Sequence, residues 1–247
     1  MPAVFVHGNP ETAAVWDLLL AELPRSDVVR LSPPGFGAPL PPGFEATHAG
    51  YRDWLAAELA AFGEPVDLVG HDLGGGHVVN VVLSHPDLVR SWVSDALGMY
   101  DPGYEWHELA RRWQTPGAGE ADVAARFGGT AADRAAVLVA RGMGEAVAAR
   151  VAEGQDEAMG RAVLTLYRSA AVGVPGLGLP LERAAARPGL AVLATADHVS
   201  GTEDQRRRSA ARAGARVAEL DGLGHWWMTH DPARAAAALT GFWATVP

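Results

Sequence analysis

The chain contains no cysteine and no lysine. The lack of cysteine removes disulfides, thiol nucleophiles and thiolate zinc sites at once. The lack of lysine makes all 20 basic residues arginine, and these are dispersed through a chain of net charge −9. That balance, without any basic run, argues against nucleic acid or an anionic membrane surface as a partner. No apolar stretch reaches the roughly 18 residues that would suggest a membrane span. The opening Met1-Pro2-Ala3-Val4-Phe5 lacks the basic segment and cleavage site of a secretory signal. The histidines lack metal-ligand spacing and there is no His-Glu-x-x-His segment, so neither a metal nor a cofactor is expected. What remains is a soluble, cytoplasmic chain, monomer or homodimer, whose partner is a small molecule. Its 247 residues suffice for one large α/β domain with a substantial core.

Strand-like and helix-like segments alternate, the pattern of a mainly parallel sheet covered on both faces. A short buried strand from Ala3 to Val6 ends at His7-Gly8-Asn9-Pro10, and Glu11 to Leu23 has helical spacing. Asp27 to Leu31 is the next strand, closed by Ser32-Pro33-Pro34-Gly35-Phe36-Gly37. Tyr51 to Phe62 is an amphipathic helix, Val66 to Val69 a strand, Gly75 to His85 a helix and Val89 to Ser94 a strand. From about Tyr100 to Pro180 the β-branched runs stop. Ala/Arg-rich helical stretches take over, broken at Gly117-Ala118-Gly119, Gly128-Gly129 and Val174-Pro175-Gly176. Strands resume at Leu190 to Thr195 and Arg216 to Leu220, and Pro232 to Trp243 is a closing helix. The expected division is a core of residues 1–99 and 181–247 with a helical cap of 100–180.

Between the strand ending at Val69 and the helix behind it lies Gly70-His71-Asp72-Leu73-Gly74. A central side chain flanked by glycines at a strand-to-helix turn is left exposed above the sheet, the geometry of a nucleophile. A carboxylate there needs no base to activate it, because its ordinary pKa of about 3.9 keeps it ionised near neutrality. It can displace a leaving group from saturated carbon and form an aspartyl ester that water then hydrolyses. Out of that context Asp72 would be no more than a helix-capping aspartate.

Three segments of the chain resemble the aspartate-nucleophile branch of the α/β-hydrolases, which contains haloalkane dehalogenases and epoxide hydrolases. They are His7-Gly8-Asn9-Pro10 after the first strand, the elbow at Asp72, and Gly224-His225-Trp226 after the last strand. The order nucleophile, acid, base agrees as well. The resemblance covers nearly the whole chain. It implies the α/β-hydrolase fold, with the cap inserted after the sixth strand of the family fold. Because the chain begins at what would be the third family strand, a sheet of about six strands is expected. Under this resemblance Asp72 is the nucleophile, His225 the base that activates water, and Asp197 the acid that orients it. Asp95 and Asp101 are alternatives for the acid. The backbone N–H groups of Asn9 and Leu73 would form the oxyanion hole.

The leaving group divides the reading. Asn9 matches the dehalogenase residue whose side-chain amide binds the departing halide, but Leu73 stands where those enzymes carry a tryptophan donor, and leucine has none. Trp106 or Trp113 of the cap would have to supply that N–H. Epoxide hydrolases protonate the opening oxygen with cap tyrosines, a requirement that Tyr100, Tyr104 and Tyr167 can meet, although each could equally be a packing aromatic. Trp106, Trp113, Met99, Met143 and Phe127 suggest an apolar cleft suited to a small uncharged organic substrate. A haloacid would want arginine near the nucleophile, and of the adjacent Arg111 and Arg112 at most one can face inward. His71, His77, His85, His198 and His230 are expected to be packing or surface residues. The same fold can also host a small-molecule binding protein without turnover, a carboxylic-ester hydrolase or a lyase. The complete set of Asp72, His225 and Asp197 argues against binding alone.

Overall fold

The computed structural model describes residues 1–170 and 177–247, so the expected break at Val174-Pro175-Gly176 lies outside the described residues. The apolar runs form six strands: β1 (Ala3–Val6), β2 (Val28–Leu31), β3 (Val66–Gly70), β4 (Val89–Ser94), β5 (Gly189–Ala194) and β6 (Arg216–Leu220). They lie in the order β2-β1-β3-β4-β5-β6, and every neighbouring pair is parallel. Both faces of such a sheet must be covered, and the alternation of side chains feeds two separate cores. Val4, Val6, Val66 and Leu68 point into one, with α2 (His48–Ala60) and α3 (Asp72–Ser84). Ala3, Phe5, Val69 and Val93 point into the other, against α1 (Asp17–Glu22) and the closing helix Pro232–Trp243. A one-residue slip of β1 would exchange Phe5 for its smaller valine neighbours in both cores, which fixes the register.

The chain runs from β1 outward to β2 and then returns to β3 on the other side of β1. At that reversal the loops leaving the carboxyl ends of β1 and β3 diverge and open a crevice, the usual seat of ligands in open α/β sheets. The two loops are His7-Gly8-Asn9-Pro10 and His71-Asp72-Leu73. Between β4 and β5 come α4 (Glu108–Gln114), α5 (Ala118–Phe127), α6 (Ala131–Ala140), α7 (Glu145–Glu153) and α8 (Glu157–Ala170). This stretch is tied to the crevice by Gln155, whose Nε2 donates to the Pro10 carbonyl at 2.6 Å. After β5 follow α9 (Glu203–Arg212), α10 (Trp227–His230) and α11 (Pro232–Trp243). Among the described residues no helix is long and apolar enough to cross a membrane.

One expected helix changes character. In place of a single helix over Glu11 to Leu23 there is a 3₁₀ turn at Ala13–Trp16 followed by α1. Thr12 caps the turn by accepting from the Ala14 N–H at 3.4 Å, so Glu11 is left ahead of the helix and free to turn into the protein. The expected helix starting at Gly75 instead begins at Asp72.

Candidate active site

The elbow is built by close backbone approach. Asp72 has φ 49, a left-handed conformation that is costly for a non-glycine residue and persists only where the surroundings enforce it. A Cβ at Gly74 would lie 2.3 Å from the His7 carbonyl oxygen, and one at Gly70 would lie 2.6 Å from the Gly74 oxygen. Gly8 brings the β1 loop against the nucleophile, since a Cβ there would meet the Asp72 Cβ at 2.4 Å. These contacts explain why glycine flanks the elbow and why β1 and β3 can share one site.

The Asn9 N–H donates to Asp72 Oδ2 at 2.9 Å, and the Asp72 N–H donates to Asp95 Oδ1 at 2.8 Å. Oδ1 of Asp72 receives no hydrogen bond from the described residues, which leaves it the free oxygen. The Leu73 N–H lies in the first turn of α3, where no intrahelical acceptor exists. It therefore stands as a second backbone donor at the elbow, beside the Asn9 N–H that already holds Oδ2. Burial raises the Asp72 pKa, and the imidazole of His225 opposes that rise.

His225 comes from the loop after β6 and Asp197 from the loop after β5, and the two meet with Nδ1 of His225 at 3.2 Å from Asp197 Oδ2. The Val199 N–H holds the other Asp197 oxygen at 2.8 Å, and Arg206 donates to the Asp197 carbonyl at 2.9 Å. Burial would push His225 down, but the Asp197 carboxylate outweighs it and holds the pKa above the ordinary value. The same pairing, against the cost of burial, keeps Asp197 far below the usual carboxylate range. Asp95 and Asp101 do not compete for His225. Asp101 pairs with Arg208 at 3.0 Å, and Asp95 faces the other way, into the elbow.

That elbow contact is the arrangement sequence reasoning missed. His71 is not a neutral packing residue but a fully buried bridge, with Nδ1 2.5 Å from Asp95 and Nε2 3.3 Å from Glu11. Burial would neutralise it, yet the two carboxylates hold its pKa well above the ordinary value, so it is an imidazolium. Glu11, for its part, is held down to about 2 by His71 despite its burial. The knot is closed by the two indoles after His225. Trp226 Nε1 donates to Glu11, and Trp227 Nε1 donates to Asp95 at 2.7 Å. A carboxylate directly behind His7-Gly8-Asn9-Pro10 was the one signal available in the sequence. Glu11, His71 and His225 have ligand atoms within 4.8 Å of one another. Protonated His71 commits both N–H groups to carboxylates, so this cluster fits an ion-pair network and not a cation site.

The aromatic residues expected to line a cap divide. Burial raises the phenol pKa of Tyr104 and Tyr167, and the Asp72 charge adds to it. The Tyr104 hydroxyl donates to the Val199 carbonyl at 3.5 Å, whereas the Tyr167 hydroxyl makes no hydrogen bond with the described residues. Trp106 packs edge-on against both, at 5.3 and 5.7 Å. Tyr100 lies elsewhere: its hydroxyl donates to the Gly76 carbonyl and Asn80 Oδ1, both at 3.0 Å, behind the elbow. Trp113 spends its N–H on Asp122 at 2.7 Å, so it has none to offer a leaving group. Arg111 and Arg112 are exposed and paired with Glu105 and Glu108, and neither reaches the site. The Asn9 side-chain amide is buried, and neither its nitrogen nor its oxygen has a hydrogen-bond partner among the described residues.

A family model described as the alpha/beta hydrolase family matches residues 3–238. The chain is an α/β-hydrolase. This α/β-hydrolase superposes on E-2-(acetamidomethylene)succinate hydrolase with a TM-score of 0.76 at 19% identity, covering 99% of this chain and 91% of the other. Haloalkane dehalogenase DbeA from Bradyrhizobium elkani gives 0.68 at 20% identity, over 98% and 91%. An N-formylmaleamic acid deformylase from Pseudomonas putida gives 0.73 at 14% identity, over 97% and 91%. At these identities the likeness is one of fold, that of a hydrolase with dehalogenase-like neighbours. A search of curated protein sequences gives no significant match.

Proposed function

We propose that this α/β-hydrolase is a cofactor-independent cytoplasmic enzyme that opens a small electrophile at saturated carbon through an ester on Asp72. The observation that carries the reading is the Asp72 carboxylate itself. It sits on a strained elbow, with Oδ2 held by the Asn9 N–H and Oδ1 free, opposite a His225–Asp197 pair. Oδ1 attacks carbon, and the electron pair of the breaking bond leaves with the departing atom. Tyr167, a buried phenol whose hydroxyl makes no hydrogen bond with the described residues and whose pKa the Asp72 charge helps to raise, favours an epoxide, whose opening oxygen would take its proton. In the second step His225 takes a proton from water as hydroxide adds to the ester carbon. Charge gathers on Oδ2, where the Asn9 and Leu73 N–H groups stabilise it. Collapse breaks the bond between the ester carbon and the alkylated oxygen, and the imidazolium returns its proton to the leaving alcohol. Asp72 is left as the free acid and loses its proton to solvent while the phenolate takes one up, so the carboxylate is restored and the net change is addition of one water.

The unpartnered Asn9 amide supports a second reading, halide release, in which the carbon–halogen bond breaks and the amide binds the anion. Intact-mass measurement of His225→Gln after exposure to matched terminal epoxides and haloalkanes separates the two. Addition of the whole epoxide, mapped to Asp72, is expected. Gain of an alkyl group alone from haloalkanes would favour halide release. Normal turnover by His225→Gln, or full activity of Asp72→Asn with deamidation excluded, would overturn the ester mechanism.

A further inference from the structure

Of the arginines among the described residues only Arg206 on α9 is buried, at 4% exposure. Burying a cation is costly unless its hydrogen bonds and charge are answered. Its Nη1 donates to the Ala194 carbonyl and its Nη2 to the Asp197 carbonyl, both at 2.9 Å. These carbonyls are the two ends of a single tight turn, since the Asp197 N–H also donates to the Ala194 carbonyl at 3.1 Å. That turn carries Asp197 off the end of β5. α9 is fixed at its start, where Thr202 and Gln205 cap each other and Gln205 Nε2 reaches the Gly103 carbonyl at 2.7 Å. On the other side Gly98 clears the space. A Cβ there would run into the Ser200 carbonyl and lie 3.0 Å from Arg206 Cγ.

We propose that Arg206 is a positioning residue for the candidate base: by clamping both ends of the Asp197 turn it holds the carboxylate in line with Nδ1 of His225. The inference rests on the reading of His225 and Asp197 as base and acid. A guanidinium presents its donors in one rigid plane, so two bonds to one turn set its orientation as well as its distance. Asp197 is also the carboxylate that answers the buried cation, and Arg206 in turn helps to keep that carboxyl ionised. Packing alone does not call for a cation at this position. Ala210, one turn further along α9, already anchors the helix in the apolar core.

The test titrates His225 directly, by nuclear magnetic resonance of protein carrying isotope-labelled histidine, and needs neither a substrate nor an ester on Asp72. His225→Gln identifies its resonances among the nine histidines. The charged groups facing His225 are Asp197 and Asp72, which raise its pKa, and His71, which lowers it. Arg206 itself shares a small cavity with Asp95 and Arg207. Removal of a cation would, through charge alone, raise the His225 pKa, whereas loss of the Asp197 alignment lowers it. The sign of the change therefore separates the two effects. Arg206→Gln should lower the His225 pKa by about 0.5 or more. Arg206→Lys keeps the charge without the planar fork and should lower it by less. In an Asp197→Asn background neither change should lower it further. His71, held up by Asp95 and Glu11, is the control and should stay protonated near neutrality. A His225 pKa unchanged or raised in both variants, or a His71 that falls with it, overturns the role of Arg206 and leaves the pair standing. A wild-type His225 that titrates at or below about 6.5 would instead remove the pair, and the inference with it.

Discussion

Acidification should unfold this protein through two histidines that have nothing to bond to. His48 on α2 and His77 on α3 are buried with rings 6.0 Å apart, and Tyr51 stacks on His77 at 4.9 Å. All four of their ring nitrogens lack a hydrogen-bond partner among the described residues. Burial pushes His48 down to about 4. A histidine whose folded pKa lies below its unfolded value of about 6.5 contributes fully above that value and loses its contribution as pH falls toward the folded one. For His48 alone, that linkage amounts to about 2 kcal/mol lost by about pH 5 and about 3 kcal/mol by about pH 4. His77, pushed down by burial with His48 and His7 adding to it, extends the loss in the same direction. Urea unfolding at about pH 7.5 and about pH 5 measures the effect, with His48→Leu as the comparison, and the wild type should lose about 2 kcal/mol more than the variant. Equal losses would refute the reasoning, because the ring would then titrate as freely in the folded protein as in the unfolded chain.

Other perturbations reach the site directly. Gly8→Ala places a methyl group 2.4 Å from the Asp72 Cβ and 2.6 Å from Oδ2. It should slow Asp72 alkylation by about a hundredfold or more in a timed mass-spectrometric assay, with circular dichroism unchanged. Release of the ester requires neutral His225, so its rate should rise with pH through an inflection that Asp197 holds above the ordinary histidine value of about 6.5. Asp197→Asn should move that inflection downward and lower the plateau by about a hundredfold or more in single-turnover measurements. A plateau lowered without any shift would mean that Asp197 acts only on the position of the imidazole.

The strands were legible because a parallel sheet buried on both faces needs uninterrupted apolar runs, and Ala3 to Val6, Val66 to Val69 and Val89 to Ser94 have them. Asp72 was legible because the turn that exposes it demands glycine on both sides. The pairing of His225 with Asp197, and not with Asp95 or Asp101, needed coordinates, since all three acids follow strands of the same sheet. The charge on His71 was out of reach for a different reason. It depends on Glu11 and Asp95 arriving from other loops, and an isolated buried histidine would have been neutral. Tyr100 and Trp113 have the right chemistry for a leaving-group donor, but their polar atoms are satisfied by neighbours that sequence spacing does not reveal.

The knot of Glu11, His71, Asp95, Trp226 and Trp227 has a temporal consequence. Its members stand at residues 11, 71, 95, 226 and 227, so a chain emerging from the ribosome holds Glu11 for more than two hundred residues before the indoles that cap it exist. Until then Glu11 and Asp95 lack their Trp226 and Trp227 hydrogen bonds. The nucleophile can therefore acquire its final setting only after Trp227 has been made. The loop after β6 acts as a latch, and a product that stops short of it would carry Asp72 without a completed site around it.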